Sequence, residues 1–296
     1  MTIRLIFLLA SLCFSLPAAG ADIFVPDNQP TVQDAIIAAA PGDTVVVRPG
    51  TYVENIDFLG KAIIVKSESG PDVTTLDGGQ TGSVVFFGNG EVSDSVIEGF
   101  TISNGTGTDI NGKFCGGGIL CGPAASPTIT GNIIRDNDCW NGGGIHNYGA
   151  SSPIITNNHF IDNTCKNGGA VDNVEDSMPT ITNNVMTGNS APTYGGAIRC
   201  FDGCHALIEG NIITDNAADS GRGGGIYNYH ASPTIRNNIL SGNRSLKCGG
   251  GIYCKVSSPI IENNRIFNNS TTGEYGGGIQ CSTYADPTIR NNVIYG

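Results

Sequence analysis

A four-residue pattern, Gly-Gly-(Gly/Ala)-(Ile/Val), recurs seven times in the 296-residue chain and constrains its fold more than any other feature. Its last residue is aliphatic each time, and successive copies are 26, 26, 27, 28, 26 and 27 residues apart, at Ile119, Ile145, Val171, Ile198, Ile226, Ile252 and Ile279. A unit of this length without a helical pattern cannot bury its apolar side alone, so successive units must stack into a solenoid.

Each repeat also contains two regularly spaced asparagines. The first Asn falls three residues after a second aliphatic position, at Asn132, Asn158, Asn184, Asn211, Asn238, Asn264 and Asn292. The second Asn lies five residues further on, at Asn137, Asn163, Asn189, Asn216, Asn243 and Asn269. We predict three short strands per repeat, with aliphatic rows in the interior and Asn rows at turns. The Asn residues are expected to adopt the left-handed conformation and to pass amide hydrogen bonds from coil to coil.

These features resemble the right-handed parallel β-helix of the pectin-lyase-like superfamily. The paired segments Gly-Gly-Ala-Ile at 195–198 and Phe-Ile-Asp-Asn at 160–163 also resemble the repeats of polymorphic outer-membrane adhesins. Segment 30–47, which begins Pro-Thr-Val-Gln-Asp-Ala-Ile, is similar to the opening of many exported β-helix proteins. The resemblance implies an all-β solenoid with three strands in each coil of 26–28 residues, but it specifies no reaction.

The first residues indicate export. Arg4 precedes an apolar stretch over 5–16 and a small-residue exit over 17–21, which is typical of a secretory signal peptide, so we predict one at 1–21. The protein is then expected to be secreted or to lie at the cell surface or in the periplasm, without a transmembrane segment. The chain contains 15 Lys and Arg but 26 Asp and Glu, and it has no run of basic residues. Nucleic acid is therefore not expected as a partner.

The repeat divides the mature chain into two predicted regions. Residues 22–103 should form an N-terminal cap and irregular first coils, and residues 104–296 the regular coils. Thr31 and Asp34 make a capping-box-like start for a short helix that would cover the open first coil. The final repeat stops at Gly296, before its second Asn. We therefore expect further coils, a cap or an anchoring domain in the full-length product.

Candidate site residues lie on the strand that follows Gly-Gly. In β-helix lyases and hydrolases the substrate groove lies on a strand face beside adjustable loops, and the resemblance places it on this strand. Strand alternation points the residue after each repeated Ile or Val outward. The outward face and the turn beyond it supply two sets of candidates. The catalytic candidates are His146, Asp172, Arg199 and Asp202, and the candidate sugar contacts are Tyr148, Glu175, Phe201, Tyr227, Tyr229, His230, Tyr253 and Lys255.

Three functions remain open from the sequence. The leading hypothesis is recognition of a polysaccharide or another surface partner without turnover. The alternative is an extracellular polysaccharide lyase, epimerase or glycoside hydrolase, in which Asp172 or Glu175 with Asp202 forms a carboxylate pair, or Arg199 and His146 abstract a proton from a uronic acid. A structural stalk or passenger segment is the third possibility. No cofactor is predicted, although calcium at acidic turns such as Asp136 and Asp138 stays open.

Nine cysteines remain after the predicted signal peptide. Their spacing suggests four disulfides, with Cys281 left over: Cys115 with Cys121, Cys139 with Cys165, Cys200 with Cys204, and Cys248 with Cys254. In the alternative interpretation, Cys121, Cys200, Cys254 and Cys281 are buried thiols that share one row with asparagines.

Overall fold

A computed structural model describes residues 20–273 and 275–296, so nearly all of the predicted signal peptide lies outside the described residues. The chain forms a parallel β-solenoid of about 10 turns with three long sheets. Neighbouring strands in each long sheet come from successive coils and are parallel, in the register that the repeat predicts. The predicted fold class is therefore confirmed.

The three long sheets are numbered by their order within a coil. Sheet one contains Asp22–Val25, Thr44–Val47, Ile64–Ser67, Val96–Glu98, Thr128–Thr130, Ile154–Thr156, Thr180–Thr182, Leu207–Glu209, Thr234–Arg236, Ile260–Glu262 and Thr288–Arg290. Sheet two contains Gly50–Val53, Thr74–Asp77, Thr101–Ser103, Ile133–Arg135, His159–Ile161, Val185–Thr187, Ile212–Thr214, Ile239–Ser241, Arg265–Phe267 and Val293–Tyr295. Sheet three contains Ile56–Asp57, Val85–Phe87, Ile119–Cys121, Ile145–Asn147, Val171–Asn173, Ile198–Phe201, Ile226–Tyr229, Ile252–Lys255 and Ile279–Ser282.

Two small sheets lie on the segment that leads into Gly-Gly. One contains Thr108–Ile110, Lys113–Cys115, Asp138–Asn141 and Thr164–Asn167, and the other contains Ala217–Ala218, Arg244–Ser245 and Ser270–Thr271. In the first of them Thr108–Ile110 and Lys113–Cys115 form an antiparallel hairpin. The sequence repeat does not predict these strands, because this segment varies in length from coil to coil.

The N-terminal cap is a helix over Val32–Ala38. Thr31 is its N-cap and accepts a hydrogen bond from the Asp34 amide, as the capping pattern predicts. Val32, Ala35 and Ile36 are fully buried against the first coils. Burial of these side chains at the open end of the solenoid shields its core from water.

The interior is built from the predicted aliphatic rows. The repeated Ile or Val after Gly-Gly is fully buried in six of the seven repeats, and Ile279 in the last is partly exposed. Phe160, Met186 and their equivalents fill the same core from sheet two. The inward register of all three strands is therefore as predicted.

The two Asn rows lie inside the turns and connect the coils. In the first row, Oδ1 of Asn184 accepts from the backbone amide of Asn158 at 2.9 Å and from its Nδ2 at 3.1 Å. Nδ2 of Asn184 donates to the carbonyl of Ile155 at 2.9 Å and to Oδ1 of Asn211 at 3.0 Å. The same pattern repeats along both rows, so the predicted structural role is confirmed.

The backbone conformation of these Asn residues differs from the prediction. The left-handed residue is the one before each row Asn, not the Asn itself. These preceding residues are Gly, Asn or Asp with φ between 53° and 68°: Gly131, Asp136, Asn157, Asp162, Asn183, Gly188, Gly210, Asp215, Asn237, Gly242, Asn263, Asn268 and Asn291. The turn is thus made one residue earlier, which leaves the row Asn free to point its amide inward.

Candidate functional site

The outward row of sheet three is covered rather than open. In six of the seven repeats the first Gly of the Gly-Gly pair has a left-handed backbone, and this turn brings the preceding segment back against the strand that follows. At Gly142, φ is +65°, and a Cβ would lie 2.4 Å from the Ile145 carbonyl oxygen and 2.8 Å from the His146 Cα, so only glycine fits. This close return places the residues before Gly-Gly beside the outward row.

Three polar side chains of the outward row form one buried cluster. His146, Asp172 and Arg199 are register partners in successive coils of sheet three. Nδ1 of His146 lies 2.9 Å from Oδ2 of Asp172. Arg199 donates from Nε to Oδ1 at 2.5 Å and from Nη2 to Oδ2 at 2.8 Å, which is a bidentate pair. The exposed fractions of the three residues are 4%, 0% and 8%.

The ion pair keeps both of its members charged. Burial raises the pKa of the Asp172 carboxyl, but the Arg199 charge and the hydrogen bonds from Arg199 and His146 outweigh burial and hold that pKa below its ordinary value. Burial lowers the pKa of Arg199, but the Asp172 charge reverses this and raises it. Asp172 is therefore a carboxylate, and it favours the His146 tautomer with its proton on Nδ1.

Two polar atoms of the cluster are left to interact with a ligand. Among residues 20–273 and 275–296, neither Nε2 of His146 nor Nη1 of Arg199 has a hydrogen-bond partner. Both side chains line a groove of about 600 Å³ above sheet three. The groove floor thus offers one imidazole nitrogen and one cationic donor in fixed positions.

The walls of the groove differ in charge. On the side that leads into Gly-Gly, Lys113, Trp140 and Lys166 line the groove, and Nζ of Lys166 lies 4.1 Å from the Trp140 ring centroid. On the side of the turn after the strand, the lining residues are Tyr148, Val174, Glu175, Phe201 and Asp202. The Tyr148 ring stacks on His146 at a centroid distance of 5.6 Å. A cationic wall therefore faces an acidic and aromatic one.

The structure groups the predicted site residues into three sets. His146, Arg199, Asp202, Tyr148, Glu175 and Phe201 line the groove, and Asp172 lies beneath it. Tyr229, His230 and Lys255 are not part of its lining and form an aromatic and cationic patch in the following coils, which adjoins the groove where the Tyr229 ring stacks on Phe201 at a centroid distance of 5.3 Å. Tyr227 and Tyr253, expected on an open face, are only 4% and 3% exposed because they pack with Tyr194 and Cys248.

Several groove residues were not predicted from the sequence. Lys113, Trp140, Lys166 and Tyr194 lie in the variable segment before Gly-Gly, and they reach the groove because of the glycine turn. The variable length of this segment was the available signal, since adjustable loops on a regular scaffold commonly form binding sites.

The carboxylate pair expected for a glycoside hydrolase is wrong where it includes Asp172. This carboxylate is fully buried and already accepts hydrogen bonds from Arg199 and His146, so it cannot reach a sugar. Glu175 and Asp202 are exposed at the groove wall. They can accept hydrogen bonds from ligand hydroxyl groups there.

The described cysteines are all free thiols in the structure. Cys121 and Cys254 lie in the main core, whereas Cys115 lines the groove and Cys248 packs against Tyr253. The predicted disulfides Cys115–Cys121 and Cys248–Cys254 are therefore wrong, because each would join opposite faces of sheet three. Cys139 and Cys165 are register partners in the four-stranded sheet, and Cys200 and Cys204 both lie in the core, so these two pairs stay predictions.

No metal-binding cluster or membrane-spanning helix is found in the described part of the chain. Within residues 20–273 and 275–296, no group of three or more His, Cys, Asp or Glu side chains could hold a metal. At the acidic turn considered for calcium, Asp136 pairs with Arg135 at 3.4 Å and Asp138 accepts from Thr164 at 2.9 Å. None of the helices in these residues is long and apolar enough to cross a membrane.

Comparison with known proteins identifies the fold family. The model of the family described as right handed beta helix region matches residues 61–240 and 175–296. No curated protein matches the chain.

Two solved structures of polysaccharide enzymes have a similar chain path. The A-module of the Azotobacter vinelandii mannuronan C-5 epimerase AlgE6 is 15% identical, with a TM-score of 0.41, over 89% of this chain and 92% of that one. A mannuronic acid specific polysaccharide family 6 lyase from human gut microbiota is 12% identical, with a TM-score of 0.40, over 91% and 83%. Such values concern the general fold and carry nothing about activity.

Proposed function

The chain belongs to the right-handed β-helix family, and on the site that it builds we propose that the groove over sheet three binds a saccharide segment carrying a carboxylate group. The observation that carries the proposal is the buried cluster of His146, Asp172 and Arg199 at the groove floor. Stability of the scaffold is a weak reason for a buried ion pair, because taking two charges out of water often costs as much as the pair returns.

The groove has the groups that an acidic sugar requires. Arg199 at the floor and Lys113 and Lys166 on one wall can neutralise a carboxylate. Trp140, Tyr148 and Phe201 offer ring faces to the apolar side of a pyranose. Glu175 and Asp202 on the facing wall accept hydrogen bonds from hydroxyl groups. A predicted signal peptide at 1–21 supports an extracellular or surface ligand of this kind.

A second candidate function, proton abstraction, is favoured by the orientation of His146. Asp172 fixes the imidazole through Nδ1, so Nε2 is the acceptor atom that faces the groove. The hydrogen next to the carboxylate of a uronic acid is weakly acidic, and a cation such as Arg199 that neutralises the carboxylate makes it easier to remove. His146 would then act as the general base of a lyase or epimerase.

The test is a screen of acidic and neutral oligosaccharides by calorimetry, followed by product analysis of every ligand that binds. We expect an oligouronate to bind and its neutral methyl ester to bind at least tenfold more weakly. Absence of binding by any acidic saccharide would overturn the proposal and favour the structural stalk.

His146→Gln separates recognition from turnover. If His146 is a general base, wild-type protein yields unsaturated or epimerised products and the variant loses about 10²–10⁴-fold in rate. If the protein only recognises its ligand, no products form with either protein. His159→Gln is the matched control, because His159 is an exposed histidine on sheet two.

A further inference from the structure

Arg222 differs from the other arginines of the described residues. Six of the eight pair with an acidic side chain: Arg48, Arg135, Arg199, Arg236, Arg244 and Arg290. Arg265 lacks a carboxylate partner in the described part of the chain but donates to the hydroxyl of Tyr295 at 3.1 Å. Arg222 has neither kind of partner, and its Nε is buried without any hydrogen bond among residues 20–273 and 275–296.

This guanidinium, which has no acidic partner among the described residues, lies in a pocket of its own beside the Cys248 thiol. The pocket has a volume of about 250 Å³ and is lined by Arg222, Cys248, Tyr253, Tyr275, Gln280 and Ser282. The Arg222 guanidinium carbon lies 5.7 Å from the Tyr253 ring centroid. Within the described residues 20–273 and 275–296, none of the lining side chains is acidic, although the chain as a whole has a net charge of −11. A cation that is left without a counter-charge in an acidic protein favours an anionic ligand.

The pocket is lined by the same two rows of positions as the main groove, namely the outward row of sheet three and the residues just before Gly-Gly. Arg222 is the bridge partner of Tyr194, which lines the groove, and of Cys248 in the next coil. Tyr227 stacks between Tyr194 and Tyr253, with centroid distances of 4.5 Å and 5.5 Å, and separates groove from pocket. Since successive coils lie about 4.8 Å apart, a linear oligosaccharide that follows the solenoid axis can reach both.

We propose that Arg222 forms a second anion subsite that takes a carboxylate or sulfate group. The Nε and Nη atoms of a guanidinium form a fork that matches either group in a bidentate manner. The hydroxyl groups of Tyr253, Tyr275 and Ser282 and the amide of Gln280 can complete the hydrogen bonds. The inference rests on the proposed function for the source of the anion, a substituent of the same acidic saccharide.

The experiment compares wild type, Arg222→Gln, Arg222→Lys and the control Arg265→Gln. Calorimetry with a hexauronate and with a sulfated hexasaccharide gives the Kd for each protein. We expect Arg222→Gln to weaken binding of one or both probes about tenfold, Arg222→Lys to weaken it less, and Arg265→Gln to leave it unchanged. Loss confined to one probe identifies the anion. Far-ultraviolet circular dichroism confirms that each variant is folded.

A second measurement makes the subsite testable without an oligosaccharide. Thermal midpoints are recorded in sodium sulfate and in sodium acetate, each against chloride at equal ionic strength. We expect at least one anion to raise the midpoint of wild type but not that of Arg222→Gln.

The outcomes separate the two proposals. Equal Kd values and equal anion effects for wild type and Arg222→Gln overturn the subsite and leave the groove standing. An anion effect that depends on Arg222, without any oligosaccharide binding, supports the subsite and overturns the proposed function. If wild type responds to neither anion nor oligosaccharide, both are overturned.

Discussion

The Asn rows and the outward row of sheet three are both buried, yet they are built in opposite ways. The Asn rows repeat one residue in every regular coil, and each amide makes the same hydrogen bonds to its neighbours. The outward row changes at every coil, from Leu120 through His146, Asp172, Arg199, Tyr227 and Tyr253 to Gln280.

This difference indicates which buried polar groups serve the fold and which serve a site. A uniform amide row satisfies its own donors and acceptors wherever the solenoid continues, so it needs no outside partner. The charged cluster is confined to three coils, and within the described residues its three side chains hydrogen-bond only to one another. Nε2 of His146 and Nη1 of Arg199 are left to bind a ligand. Variation along a row of a repeat protein therefore marks the place to search for function.

Arg199→Ala should have the largest effect on stability. Removal of the guanidinium leaves the Asp172 carboxylate buried without its counter-charge, which costs about 3–5 kcal/mol in the free energy of unfolding. Urea unfolding measures this loss. The double variant Asp172→Asn with Arg199→Met should recover most of it, because no charge remains buried. A loss below about 0.5 kcal/mol would instead mean that Arg199 is a surface residue, as its outward position in the sequence pattern suggests.

Asn184→Ala should have the next largest effect. Its amide joins the coils of Asn158 and Asn211, and its removal leaves buried backbone groups unpaired at a cost of about 1–3 kcal/mol. The same urea experiment applies. Asn292→Ala is the control and should cost less, because Asn292 is partly exposed in the last coil. If the two variants unfold alike, the row does not act through buried hydrogen bonds.

His146→Ala should cost about 1 kcal/mol, the net value of one hydrogen bond. Asp172 keeps both hydrogen bonds from Arg199, and the space vacated by the imidazole opens to the groove. Thermal midpoints compare this variant with Arg199→Ala. Equal losses for the two would show that His146 is as important to the packing as the ion pair, which would weaken the distinction between site and scaffold.

The smallest expected effect is a change in acid sensitivity. The folded pKa of Asp172 lies below its ordinary value, so its contribution to stability is present above about pH 4 and is lost as the pH falls through the folded pKa. We expect the stability of Asp172→Asn to decline less steeply than that of wild type below about pH 4. Asp94→Asn, at an exposed carboxylate, serves as the control and should follow wild type. An unchanged slope for Asp172→Asn would contradict the buried ion pair.

The sequence predicts most of the fold because the repeat fixes it locally. The spacing of Ile119, Ile145 and their equivalents determines the inward register, and the Asn positions locate the turns, although the left-handed residue is the one before each row Asn. The sequence also identifies His146, Asp172 and Arg199 as neighbours, since stacked coils bring equivalent positions together.

The burial of these residues could not be predicted in the same way. It depends on how closely Gly142 and its equivalents return the preceding segment to the strand, which is a three-dimensional property of the turn. Trp140 and Lys166 were missed for the same reason, because no repeat position describes the variable segment that contains them. The bonded or free state of the cysteines also depends on which face of a sheet each thiol occupies.

The turn residue before each row Asn affects how the sequence of such a chain can change in evolution. This position is Gly, Asn or Asp in every regular coil, so the residues that form the two turns of a coil lie within that coil. A duplicated coil of 26 residues would enter the stack without disturbing its neighbours, whereas a few residues inserted before Gly-Gly would reshape only the groove wall. The number of coils and the shape of the groove wall can therefore change independently of each other in evolution.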